Sequence, residues 1–331
     1  MVMGITDLLS FCSRVDFGSV SLSREEEVFQ GELNREMLAL CENLPESMQT
    51  EAALFLMQYL QTPFYDGPNF VNFFYAPAWS ILFWLQRSCP ENITLDPGYV
   101  KAARTGHTMA MFLHALDDHL VDGQLPITHL ALLLRSQAWM DMNRAFDRLA
   151  RDVKGGTEIV HGFIDDYYMS INKPEETKSL SGYCNLFKRQ MATALIAPIL
   201  MAKRIDPGKE LSASIQAAYC SFGIAWRLLD DLQDLEKDMM KGVHSCIYVC
   251  LNEEVRGYWN KNPEKKNDQN NGYKQTILRH IWETRVVDCI KARICSELDS
   301  AAAIADTCNM PGLAGEFRSL LKPLREGSHR S

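Results

Sequence analysis

Two clusters of aspartates are the residues of this chain whose spacing is best suited to chemistry. In the stretch 225–245, Asp230, Asp234 and Asp238 recur every four residues, and Asp231 lies beside the first of them. At roughly 3.6 residues per turn, these positions share one face of a helix, where like charges repel each other. Mg²⁺ prefers oxygen ligands and commonly takes one or two carboxylates together with phosphate oxygens of a substrate. The row therefore indicates a metal site, and the alternative is a solvated acidic face.

The second acidic cluster ends a predicted apolar helix over residues 99–122. Asp118 and Asp122 are four residues apart and share a face, Asp117 precedes them, and Gly123 follows as a stop signal. The two clusters come from distant parts of the chain, and each follows an apolar helical run. We therefore expect them to form two walls of one cavity, where metal ions bridge the walls with a diphosphate between them.

Helical spacing dominates the rest of the sequence, and we find neither a strand pattern nor an internal repeat. Predicted helices over 99–122 and 211–240 carry the two acidic clusters, and another is expected over 181–203. An aromatic-rich stretch, Phe70–Leu85, is expected to pack as core or to line a hydrocarbon pocket. Helices of this length predict an all-α fold of the large-bundle type.

Three further segments carry expectations about packing. Residues 1–30 are mixed in character and are expected to be loosely packed in part. The polar run over 262–272 is predicted to be a surface loop, and a long final helix is predicted over 275–306.

Composition and charge narrow the class of protein. The net charge of −8 over 331 residues, without a basic stripe, gives no reason to expect a nucleic-acid partner. The ten cysteines are scattered in apolar settings without a CxxC pair, which indicates buried, reduced thiols. The start of the sequence lacks a signal-peptide pattern, and no apolar run is long enough to span a bilayer. We therefore expect a cytoplasmic protein without stable membrane insertion.

The sequences DDHLVD and DDLQD resemble the two aspartate-rich motifs of the class I isoprenoid synthases, the superfamily of trans-prenyl diphosphate synthases and class I terpene cyclases. The resemblance spans about Lys101–Leu251. The second motif has the DDxxD form found in prenyl synthases, whereas the first, DDxxxD, is one residue longer than the commonest form. The resemblance implies the isoprenoid synthase fold, a single-domain helical bundle over residues 1–331 around a central apolar cavity. It also implies a small-molecule prenyl diphosphate substrate, about three Mg²⁺ ions that Mn²⁺ can replace, and a possible homodimer.

The resemblance also implies roles for individual residues. The catalytic aspartates would be Asp117, Asp118, Asp230 and Asp234. The metal ligands would be these four together with Asp122, Asp231 and Asp238. The substrate diphosphate would be bound by Lys188, Arg189, Arg227 and Lys241, which match basic or polar positions of the family by their place in the chain.

Two reactions of the superfamily fit the sequence to different degrees. A chain-elongating prenyl synthase needs a second diphosphate site, marked by a GGKRxRP-like stretch and by paired arginines after the first motif. Neither is present, and only Arg135 follows that motif closely. We therefore predict a class I terpene synthase or cyclase that releases diphosphate and lets the carbocation cyclise or be quenched. The alternative is a trans-prenyl diphosphate synthase or another prenyltransferase, which the DDxxD form of the second motif favours.

Two other classes remain as alternatives to an isoprenoid enzyme. The acids could be surface features of a non-enzymatic helical protein. His114, His119 and the neighbouring aspartates could instead hold the metal of a hydrolase, although the chain lacks the His-Asp dipeptide of the HD phosphohydrolases there.

Overall fold

The protein is helical, and a computed structural model describes residues 5–62, 69–172, 177–208, 210–261 and 268–326. These ranges contain no β-strand, which confirms the predicted all-α class. A 3₁₀ turn, Phe70–Phe73, precedes the fourth of the α-helices. In chain order these are α1 Ile5–Cys12, α2 Arg24–Glu42, α3 Glu46–Tyr59, α4 Ala76–Arg87, α5 Pro97–Val121, α6 His129–Ala150, α7 Gly156–Asn172, α8 Leu180–Gln190, α9 Ala192–Ile205, α10 Glu210–Gln233, α11 Leu235–Lys241, α12 Cys246–Cys250, α13 Glu253–Asn260, α14 Asp268–Glu283, α15 Val286–Thr307 and α16 Pro311–Glu326.

The two helices that carry the acidic clusters lie at the centre of the bundle. α5 packs against α2, α6 and α9, while α10 packs against α9 and α15. Asp96 caps the start of α5 by accepting a hydrogen bond from the Tyr99 amide at 2.9 Å. Residues 106–113 of this helix are all buried, as expected for a helix surrounded by others. The apolar parts of α5 and α10 thus belong to the hydrophobic core, and the acidic clusters lie at the C-terminal ends of these helices.

Several predicted helices are interrupted where the sequence pattern is continuous. The predicted helix over 211–240 breaks at Asp234 into α10 and α11, although the amide of Asp234 still donates to the Asp230 carbonyl at 2.9 Å. The helix over 181–203 breaks at Met191, and Pro198 lies inside α9. The predicted final helix is two helices, α14 and α15, because Arg285 adopts a left-handed φ of 54°. Each break is a local backbone rotation that leaves the apolar periodicity intact.

The expectations for the two irregular segments need correction. Within residues 7–30, Leu8 and Cys12 of α1 are buried, and α1 packs against α11 and α14, so this part is not loosely packed. Of the predicted loop 262–272, residues 262–267 lie outside the described residues, and the remainder begins α14. No helix within the described ranges combines the length and the apolar character needed to cross a bilayer.

A buried carboxyl group joins the last helix to α4. Glu316 on α16 is 4% exposed, and it accepts hydrogen bonds from Ser80 Oγ at 2.6 Å and from the Trp84 indole N–H. Burial, together with the nearby carboxylate of Glu26, raises the pKa of Glu316 to about 8 against the opposing effect of the two donors. The side chain therefore holds a proton at neutral pH.

The free energy of unfolding is expected to fall as pH rises from about 4.5, the ordinary value of this group, to about 8. In that window the folded state holds a proton that the unfolded state has lost, so stability decreases by up to about 1.4 kcal/mol per pH unit. Glu316→Gln should flatten this dependence because it imitates the protonated acid, whereas the exposed control Glu326→Gln should not. Urea unfolding at pH 5 to 9 checks this, and parallel curves for wild type and Glu316→Gln would contradict it.

Candidate active site

A pocket of about 440 Å³ is lined by residues from the acidic ends of both α5 and α10. α8 and the segment 69–75 close its other sides. Its lining residues are Asn72, Phe73, Phe74, Tyr75, His114, Ala115, Asp118, His119, Phe187, Trp226, Arg227 and Asp230.

One aspartate from each predicted cluster lines this pocket. Asp118 comes from the last turn of α5, and Asp230 comes from the last turn of α10. Burial raises the pKa of Asp230 to about 6 against the attraction of Arg227, and Asp231, Asp234 and Asp118 add to the rise by repulsion. The Asp230 side chain keeps 52% of its accessible surface, which opens into the pocket. The two walls therefore present carboxylates that repel each other, and a divalent cation would relieve this repulsion.

Two of the predicted aspartates make ion pairs elsewhere. Asp117 binds Arg135 of α6 through two hydrogen bonds of 2.6 and 2.9 Å, and it also accepts one from Tyr167 at 3.3 Å. Asp231 is 1% exposed and accepts a hydrogen bond from the Cys246 amide at 2.7 Å. Both carboxylates are thus satisfied by protein groups that do not line the pocket, except for the pairing of Asp231 with Arg227.

The remaining predicted aspartates do not line the pocket either. Asp122 is exposed at the end of α5, and Asp234 pairs with Lys237 at 2.5 Å. Asp238 is 7% exposed, and burial, followed by repulsion from Asp231 and Asp234, raises its pKa to about 7. The charge of Asp234 acts on both Asp230 and Asp238, so the three lie near one another, although only Asp230 lines the pocket.

A metal cage made of protein groups alone is absent from the described residues, where no three His, Cys, Asp or Glu side chains converge on one point. Mg²⁺ usually keeps several waters and takes one or two carboxylates plus phosphate oxygens. Asp118 and Asp230 both line the pocket and supply two carboxylates of the kind that such a cation takes. The oxygen-only donor pair suits a hard cation of this kind.

Arg227 is the one predicted basic residue that lines the pocket within the described residues. Its Nε donates to the Tyr183 hydroxyl at 2.9 Å and lies 3.1 Å from Asp231, while Nη1 lies 3.7 Å from Asp230. Its guanidinium carbon lies 5.9 Å from the centre of the Phe187 ring. A pre-positioned guanidinium of this kind suits phosphate recognition.

The other predicted basic residues are placed outside this pocket. Arg189 on α8 faces Asp166 of α7 at 3.9 Å. Lys188, the preceding residue, is half-buried, and its charge acts on the thiols of Cys184 in the same helix and of Cys220 in α10. Lys241 ends α11 and is exposed.

Aromatic and histidine side chains complete the pocket. Burial lowers the pKa of His114, and the Tyr59 hydroxyl lies 2.9 Å from Nδ1 of His119. Sequence reasoning placed part of the aromatic wall in Phe70–Leu85 but missed Tyr183, Phe187 and Trp226 as site residues. Of these three, only Trp226 could have been found from the sequence, because it directly precedes Arg227, a predicted diphosphate-binding residue. The pocket thus offers paired carboxylates and a guanidinium at one place, with ring faces beside them.

Neither a protein-family model nor a curated protein matches this sequence. Solved structures do match the fold. A polyprenyl synthase from Caulobacter crescentus, complexed with calcium and isoprenyl diphosphate, aligns with a TM-score of 0.64 at 14% identity, covering 92% of this chain and 98% of its own.

Two further solved structures align with this chain over most of its length. A geranylgeranyl pyrophosphate synthetase from Pyrococcus horikoshii aligns with a TM-score of 0.63 at 11% identity, covering 89% of this chain and 97% of its own. A geranylgeranyl pyrophosphate synthase from Corynebacterium glutamicum, complexed with isoprenyl diphosphate and magnesium, has a TM-score of 0.59 at 14% identity, with 92% and 99% covered. All three are polyprenyl or geranylgeranyl pyrophosphate synthases, and this chain shares their all-α fold, the isoprenoid synthase fold.

Proposed function

We propose that this protein is a Mg²⁺-dependent enzyme that ionises an allylic prenyl diphosphate. The observation that carries the proposal is the convergence of Asp118, Asp230 and Arg227 on one aromatic-walled pocket. Asp118 and Asp230 would hold Mg²⁺ against the diphosphate, and Arg227 would bind the diphosphate directly. When bound, the metal ions would neutralise the leaving group.

The residues around the leaving group have roles that follow from their chemistry. Loss of diphosphate breaks the C–O bond, and the electron pair leaves with the diphosphate oxygen. The allylic carbocation left behind needs no protein nucleophile, but it needs ring faces and exclusion of water. Ring faces attract cations by about 2 kcal/mol or more when desolvated. Phe73, Phe74, Phe187 and Trp226 supply such faces beside the carboxylates.

Solved structures with the same fold favour a prenyltransferase reaction, in which the cation is joined to a second substrate. The three aligned proteins are prenyl diphosphate synthases, and two of them were crystallised with isoprenyl diphosphate and a divalent metal ion. In that reaction the double bond of isopentenyl diphosphate would form a C–C bond with the allylic cation, and the cation that results would lose a proton to the released diphosphate.

The small number of basic side chains in the pocket favours a one-substrate terpene synthase instead. Among the described residues, Arg227 is the only Lys or Arg that lines it, and Arg135 is occupied by Asp117. A second diphosphate would need a second set of cations. The cation would then cyclise, lose a proton or take up water.

Incubation of the protein with C10, C15 and C20 allylic diphosphates tests the proposal and separates its two arms. We expect diphosphate release with Mg²⁺ and none after chelation, because the walls alone cannot neutralise the leaving group. Gas chromatography of the products with and without isopentenyl diphosphate distinguishes cyclase from prenyltransferase. Absence of diphosphate release with every substrate and with both Mg²⁺ and Mn²⁺ would overturn the proposal.

A further inference from the structure

The segment 69–75 is the only part of the described pocket wall that is not α-helical. It contains the 3₁₀ turn Phe70–Phe73, after which the backbone is extended at Phe74 and Tyr75. Asn72, Phe73, Phe74 and Tyr75 all line the pocket, so this short segment supplies a third of its lining residues. We call it the aromatic segment. Its own backbone hydrogen bonds are short-range, from the Asn72 amide to the Asn69 carbonyl at 3.3 Å and from the Phe74 amide to the Val71 carbonyl at 3.0 Å, so other groups must fix its position.

Two buried amide side chains of α2 hold the aromatic segment from behind. Asn34, 9% exposed, donates from Nδ2 to Asn69 Oδ1 at 3.0 Å and accepts the amide N–H of Val71 at 3.0 Å. Gln30, 8% exposed and one helical turn earlier, donates from Nε2 to Asn72 Oδ1 at 2.8 Å. Buried amides of this kind are costly unless fully bonded, so they specify a single position of the segment.

The rings of the aromatic segment contact residues that lie next to Arg227 and Asp118 in the chain. Phe74 and Tyr75 meet Trp226 edge-on, with ring centres 6.1 and 5.6 Å apart. Trp226 directly precedes Arg227 on α10, and Phe73 lies 6.2 Å from the His119 ring. A shift of the segment would therefore move ring faces relative to the site of ionisation, while Asp118, Asp230 and Arg227 stay on their own helices.

We propose that Asn34 and Gln30 are positioning residues that fix the aromatic segment and thereby set the fate of the carbocation. The inference rests on the one-substrate form of the proposed function. In the dry outcome, a C–H bond next to the cation breaks, its electrons form a C=C bond, and the proton leaves with the diphosphate. In the wet outcome, a water oxygen bonds to the cationic carbon and then loses a proton to solvent, giving an alcohol. A fixed aromatic segment excludes water and favours the dry outcome.

Hydrogen exchange tests the mechanical half of the inference without any need for turnover. Asn34→Leu should raise the exchange rate of the peptide that spans residues 69–75 by roughly 5-fold or more, because the Val71 amide loses its acceptor. The segment 253–260 should exchange as in wild type. Asn43→Leu is the matched control, since Asn43 also lies at α2 and bonds another element, Asp141 at 3.1 Å, away from the pocket. Unchanged exchange over 69–75 in Asn34→Leu would overturn the inference.

The ratio of alcohol to hydrocarbon products tests the chemical half. In Asn34→Leu and Gln30→Leu this ratio should rise by about 3- to 10-fold, the range expected for losing one aromatic contact. The ratio is independent of the amount of folded enzyme, and the KM for the diphosphate should change less than the ratio. A wild-type ratio in both variants would overturn the inference, and if Asn34→Leu does not fold, Gln30→Leu decides.

A double-mutant cycle shows whether Asn34 acts through the rings. Phe74→Leu should raise the alcohol ratio by itself, and adding Asn34→Leu should change it by less than twofold, because both remove the same effect. Fully multiplicative effects would contradict positioning through Phe74. Failure of the proposed function looks different, since wild type would then release no diphosphate while the exchange result would still report on the contact with α2.

Discussion

Replacement of Asp230 by asparagine is expected to lower the rate of diphosphate release by at least about 100-fold, because a metal–carboxylate contact supplies several kcal/mol. Asp230 lines the pocket opposite Asp118, and its pKa is already raised by burial and by the other aspartates. The substitution removes one negative charge from a crowded cluster, so the fold should not be weakened. Asp118→Asn should have an effect of similar size.

Asp165→Asn is the matched control for this experiment. Asp165 is an exposed carboxylate in a third Asp-Asp pair of the chain, on α7, and it does not line the pocket. Its loss should leave diphosphate release within about twofold of wild type, as surface substitutions usually do. Single-turnover measurement of diphosphate release at saturating Mg²⁺ gives the rates. Wild-type rates in both Asp230→Asn and Asp118→Asn would rule out the proposed metal ligands.

Removal of Arg227 is expected to have two effects that can be separated. Arg227→Leu leaves the 1%-exposed Asp231 without its cation, which should lower the free energy of unfolding by about 3–5 kcal/mol. The double variant Arg227→Leu/Asp231→Asn should recover most of that loss, since the amide introduced at position 231 still accepts the Cys246 N–H. The KM for the prenyl diphosphate should nevertheless rise by about 10- to 100-fold, because hydrogen bonds to a charged group are lost.

Urea unfolding and steady-state kinetics measured on the same preparations separate these effects. Arg318→Leu removes an exposed guanidinium that pairs with Asp306, and it should change neither quantity appreciably. If the double variant bound the prenyl diphosphate as wild type does, Arg227 would be a structural residue only. If Arg227→Leu were as stable as wild type, the ion pair between Arg227 and Asp231 would not contribute to the free energy of unfolding.

The sequence predicted the fold class and the two facing acidic helices, because apolar periodicity and acidic spacing are local properties. It could not predict which carboxylates face the pocket. Asp117 and Asp118 are neighbours with the same chemistry, yet only one meets the pocket, since the other is bound by Arg135 eighteen residues later. That pairing depends on how α5 crosses α6, which no local pattern encodes.

The parts of the site that come from distant contacts were likewise hidden from the sequence. Tyr183 holds Arg227 across 44 residues of sequence, and Asn34 reaches the Val71 amide across 37. Asp234 pairs with Lys237, and Asp238 is buried, so neither lines the pocket. Spacing on a helix therefore did not show which aspartates line the pocket.

The small set of charged groups that line the pocket has a consequence for how its ligands bind. The acidic and guanidinium groups that line the described pocket are two carboxylates and one guanidinium, so the cavity carries net negative charge when both carboxylates are ionised. A polyanion is repelled by such a cavity, and a lone divalent ion finds too few ligands to stay. Each ligand must strengthen the binding of the other by the same factor, as thermodynamic linkage requires. Metal and prenyl diphosphate would therefore enter cooperatively, and chelation would expel both together.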